Sequence, residues 1–270
     1  MTQHNDTSAR LLAQENISIV RSAVSTASFD IKNRVLTLPQ WKDMTPQIED
    51  MLQCHEVGHA LYTSESDWVS AIDVFKISHP SEVNLLRGYL NVIEDARIES
   101  LIKDEYPGIA KSFYAGYRAL HERDIFAISD CDINDLVLID RINLQYKIGF
   151  LHAIKFTDAE RVLMRRAGAV KSIAEAAALA IEIYEFSLQQ NSAQQLGSDQ
   201  DDVLSGEYSD ECDEDYCDDD CDSSDDTGND DETDEMNKPS RTDGQDSGSD
   251  LRATTAENFD KKLGELADNS

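Results

Sequence analysis

The chain has 270 residues and a formal net charge of -30. A chain this acidic lacks the clustered Lys and Arg that phosphate contacts need, and anionic membranes repel it, so nucleic acid and membrane surfaces are poor partners. No apolar run approaches the roughly 20 residues of a membrane span, and MTQHNDTSARLLAQEN has no apolar stretch after a basic start, so the expected location is the cytoplasm.

The charge is uneven. Residues 1–190 carry apolar residues at helical and strand spacing, whereas Asp, Glu, Ser and Gly dominate from Ser198 to about Glu235. Low hydrophobicity with high charge cannot offset chain entropy. The expected organisation is therefore one globular domain over 1–190, an acidic disordered segment over 191–250, and a short C-terminal segment over 251–270 with sparse helical patterning. The five cysteines, Cys54, Cys131, Cys212, Cys217 and Cys221, are odd in number and lack paired CxxC spacing. They read as free thiols rather than a disulfide framework or a structural zinc site.

In chain order, residues 8–16 suggest a short helix. Phe29 and Ile31, then Leu36 and Leu38, alternate with polar neighbours around the turn residues Lys32-Asn33, which predicts a hairpin or two short strands ending at Pro39. Thr45-Pro46 starts a helix that runs to about Thr63. A second helix spans about 81–103, and Pro107-Gly108 interrupts the pattern before it resumes over 109–128. Asp132 is expected to cap a helix to Gly149, Thr157 with Glu160 forms a capping box, and Ser172 opens a last helix. The fold class is α+β, predominantly helical, with a small N-terminal sheet.

The second of these elements carries His55-Glu56-Val57-Gly58-His59. Residues four apart on a helix differ by about 400° and about 6 Å of rise, so His55 and His59 share a face and can grip one metal ion. Glu56, one position on, falls outside that ligand pair but reaches a water activated by the metal, which makes it a candidate general base. Gly58 costs a helix about 1 kcal/mol relative to Ala, which suggests a close approach by a neighbouring element. The preceding hairpin adds an edge to which an extended peptide could pair.

A third ligand is sought in NVIEDARIE, residues 91–99. Glu94 and Asp95 point about 100° apart. The apolar stripe of Leu86, Leu90 and Ile93 lies on Glu94's side, and Glu reaches further, so Glu94 is the expected ligand. The alternative is Asp95, backed by Asn91 and Glu99 as groups that orient the ligands. His79 is a weaker candidate, His121 and His152 read as structural, and His4 is terminal. Tyr62, Tyr89, Tyr114 and Tyr117 read as packing residues, each with a hydroxyl of the kind that can donate to an oxyanion.

HEVGHALYT followed by NVIEDARIE resembles the gluzincin metallopeptidases. Together with TASFDIKNRVLTLPQWKDM, DRINLQYKIGF and FTDAE, these segments also resemble phage peptidases and the N-terminal region of CobT-like cobaltochelatase subunits, over residues 8–190 and the acidic stretch. The resemblance implies a zincin-like domain that hydrolyses peptide or protein substrates, with zinc on His55, His59 and Glu94 and with Glu56 as base. Glu94-Asp95-Ala96-Arg97 stands where many gluzincins carry NExxSD or ExxAD. A chelatase role implies an AAA+ ATPase and a von Willebrand A domain, whose DxSxS motif is absent from the sequence. The rival expectation is therefore a non-catalytic adaptor of an AAA+ ATPase with a structural zinc site.

Overall fold

The computed structural model describes Thr7, residues 9–201 and residues 251–268. It is mostly helical with one small sheet, as the patterning predicts. Strands β1 (Ser18–Ser22), β2 (Ser28–Asp30) and β3 (Val35–Pro39) form a sheet of order β1-β3-β2. The expected hairpin is β2 and β3, paired antiparallel with Phe29 opposite Leu36. Strand β1, which the alternation did not reveal, runs parallel to β3 with Ile19 opposite Leu36. Among the described residues, β2 is one edge strand of the sheet.

Helix α1 (Pro46–Tyr62) begins as expected, with Thr45 capping the amide of Ile48 and Pro46 in the first turn. Its Ile48, Met51, Leu52, Val57 and Ala60 are buried. Helix α2 (Glu65–Ser78) was not expected. Ser64 caps it, and Ile72 and Phe75 bury its inner face. The β-branched residues in VSAIDVFKIS obscure this short stripe in the sequence. Helix α3 (Val83–Glu105) ends before the 3-10 turn Pro107–Ile109, and α4 (Ala110–His121) follows.

Asp132 caps a 3-10 turn, Ile133–Asp135, rather than a long helix; helix α5 (Leu138–Ile148) starts only afterwards. Thr157 and Glu160 form the expected capping box at α6 (Asp158–Ala167). Helix α7 (Ile173–Asp201) continues past the boundary expected at 190. The rest of the expected acidic segment, from 202 to 250, lies outside the described residues.

The C-terminal segment corrects the expected domain plan. Helix α8 (Thr254–Asp268) belongs to the same compact unit as the chain up to Asn191. The Asp140 carboxylate accepts from the amides and hydroxyls of both Thr254 and Thr255, at 2.6–3.1 Å. Tyr89 donates to the Leu251 carbonyl at 2.8 Å, and Leu251, Ala253 and Leu263 are buried. Two anchoring threonines and three apolar contacts are too few to stand out in 20 residues of sequence, yet they complete the domain.

Two apolar clusters fill this unit. One gathers α2, α5, α6 and α7 around the first half of α3; the other gathers the sheet, α1 and α4 around Ile102 at its far end. Gly58 of α1 lies against α3, where an added Cβ would come within 3.0 Å of Ile98 Cδ1. The close approach expected of this glycine therefore brings the His55–His59 face of α1 onto α3. Among the described residues no helix is long and apolar enough to cross a membrane.

Candidate metal centre

His55 and His59 leave α1 on one face, with ring centroids 5.0 Å apart. Opposite them, α3 presents the row Asn91, Asp95 and Glu99, each four residues from the next. The Asp95 Oδ1 atom lies 3.6 Å from His55 Nε2 and 3.5 Å from His59 Nε2. These three residues form the one group among those described whose ligand atoms could together hold a metal ion.

Glu94 does not join them. It is fully buried about 100° further round α3, where Arg97 grips it at 2.7 and 2.6 Å and the Thr63 hydroxyl donates to it at 2.6 Å. The expectation that Glu94 faces the histidines is therefore corrected in favour of Asp95. The apolar stripe marks the face of α3 that enters the core, whereas the polar row marks the face that meets α1. Glu94 still serves the site indirectly. Thr63 spends its proton on Glu94, so its oxygen accepts from His59 Nδ1, 3.0 Å away.

Glu99 plays the matching role for His55, whose Nδ1 lies 3.0 Å from Glu99 Oε1. Tyr117 also donates to Glu99 Oε1, and Lys103 Nζ sits 2.8 Å from Oε2. Burial works against the charge on Glu99, but Lys103 and His55 outweigh it and bring its pKa down to about 2. With both Nδ1 atoms engaged by Glu99 and Thr63, the two Nε2 atoms are left facing one carboxylate oxygen. When both rings are neutral and carry their protons on Nδ1, three acceptors face one another, an arrangement that a metal ion or a proton resolves.

The two edges that Asp95 makes suit such a metal ion. A tetrahedral zinc with ligands at about 2.0–2.1 Å has ligand–ligand edges of about 3.3–3.4 Å, close to the observed 3.5 and 3.6 Å. In the metal's place a proton can sit on His55. Burial opposes this, yet Asp95 and Glu99 carry its pKa up to about 9. A metal must displace that proton. Affinity for a divalent metal ion is therefore expected to rise about tenfold per pH unit between pH 6 and 8, with about one proton released on binding. Calorimetry in buffers of different ionisation enthalpy measures this directly; pH-independent affinity would contradict it.

Glu56 is almost wholly buried and lines the same cavity as the histidines, about 380 Å³ in volume. Burial raises its carboxyl pKa, while His55 and His59 pull it back. That balance moves a carboxylate towards neutral pH, where a general base works best. The cavity wall includes Ser28 and Phe29 of the edge strand β2, Trp68 of α2, and Phe259 and Asp260 of α8.

The other sequence candidates lie elsewhere or are committed. His79 ends α2, with Nε2 3.6 Å from Glu185. His121 and His152 face each other at 3.1 Å. Tyr62 donates to Glu105 and Tyr89 to the Leu251 carbonyl, while Tyr114 packs on Phe150. Two contributors escaped the sequence reading. Thr63 stands four residues after His59, a spacing that could have revealed it. Lys147, on the buried face of α5, donates to Asp95 Oδ2 at 3.0 Å; a lysine where apolar residues are due was the available signal.

Comparison of the chain with family models, with curated proteins and with solved structures finds no match.

Proposed function

We propose that the protein is a zinc-dependent hydrolase of peptide bonds. The observation that carries this reading is the convergence of His55 Nε2, His59 Nε2 and Asp95 Oδ1, at metal-ligand spacing, on a cavity also lined by Glu56. Three protein ligands leave a fourth position free, the pattern of catalytic rather than structural zinc. When bound, zinc supplies Lewis acidity, which acidifies water and polarises a carbonyl.

The chain's own residues supply the rest. Glu56 takes the proton from the attacking water and passes it to the leaving amine. Thr63 and Glu99 hold the histidine rings in one tautomer and orientation. Strand β2 brings a sheet edge to the cavity wall, so an extended peptide can pair with its backbone and lie across the site. Phe29, Trp68 and Phe259 offer apolar surface to its side chains.

The test is cleavage of a diverse peptide mixture by the purified protein. Hydrolysis is expected to stop on chelation and return with zinc. A protein that holds zinc yet cleaves nothing would instead support the adaptor of an AAA+ ATPase.

A further inference from the structure

Three carboxylates, Glu94, Asp95 and Glu99, sit on two consecutive turns of α3, and each has its own cation. Arg97 takes Glu94, Lys103 takes Glu99, and Lys147 takes Asp95. Both oxygens of Glu94 are engaged, by Arg97 and Thr63. Both oxygens of Glu99 are engaged, Oε1 by His55 and Tyr117 and Oε2 by Lys103. Asp95 differs. Its Oδ2 accepts from Lys147, while its Oδ1 faces the two Nε2 atoms.

Lys147 is itself held in place. It is 7% exposed, and its ammonium lies 5.7 Å from the centroid of the Tyr117 ring and 5.0 Å from that of Phe259. A buried lysine is costly unless its charge is answered, and an apolar residue would suit this face of α5. We infer that Lys147 is a positioning residue that restricts Asp95 to a single ligating oxygen. A carboxylate free at both oxygens can swing to chelate the metal, which raises the coordination number and crowds the position that water needs. With Oδ2 tied to Lys147, only Oδ1 is offered. This inference rests on the metal-site part of the proposed function and not on peptide hydrolysis.

Cobalt(II) in place of zinc tests it, because four-coordinate cobalt absorbs visible light far more strongly than five- or six-coordinate cobalt. Wild type and Lys147→Arg are expected to show intense bands. Lys147→Met, at full cobalt occupancy, is expected to show bands weakened severalfold. Lys147→Ala should behave like the Met variant and regain intensity when butylammonium is added, which gives a second reading if the Met variant folds poorly. Unchanged spectra in the Met or Ala variant at full occupancy would overturn the inference. A wild type that takes up no cobalt overturns the metal site along with it. Cobalt uptake by a protein that cleaves no peptide defeats only the hydrolase reading.

Discussion

Glu56→Gln is expected to keep the metal and the fold while losing about 10²–10⁴-fold in peptide hydrolysis, the usual worth of a positioned general base. The substitution changes one atom of a side chain that lines the cavity beside the histidines. Gln fills the same volume but cannot take a proton from water. Because Glu56 stands outside the group of His55, His59 and Asp95, metal content should match wild type. Steady-state kinetics with parallel metal analysis separates the two effects. Wild-type turnover in the variant would remove Glu56 from the chemistry, and loss of metal would make it a ligand.

Glu94→Gln is expected to act on stability instead. The Glu94 and Arg97 side chains are almost fully buried and paired at 2.6 Å, and Arg97 also reaches the carbonyls of Tyr62 and Lys171. Removing one charge leaves the guanidinium uncompensated, a loss of about 3–5 kcal/mol. That is a large share of the roughly 5–15 kcal/mol that holds a domain folded. Urea unfolding should show this shift, while the folded fraction should still bind zinc. Near-normal stability with lost metal would restore Glu94 as a ligand and overturn the geometry described for α3.

The metal site was partly legible because its first half is local. Two histidines four apart on one helix share a face whatever the fold, and Gly58 announced a neighbour close by. The second half depends on how α3 rolls against α1. The stripe of Leu86, Leu90 and Ile93 does enter the core, but α3 is buried nearly all round, with Val92, Ala96, Ile98 and Ile102 also covered. On such a helix an apolar stripe no longer separates inside from outside: Glu94 is wholly buried by Arg97 and Thr63, while Asp95 lines the cavity. Strand β1 pairs parallel to β3, and its Val20 is exposed, so alternation gave little sign of it. Phe259 and Asp260 reach the cavity only because Asp140 anchors Thr254 and Thr255 across more than a hundred residues, a contact no local pattern encodes.

The most direct measurement is zinc per chain in purified wild type and in Asp95→Ala, reconstituted and dialysed together. Three converging ligands predict about one zinc in wild type and almost none once the carboxylate that completes the histidine pair is gone. Wild type without zinc, or full zinc in Asp95→Ala, would contradict the metal centre from which the proposed function follows.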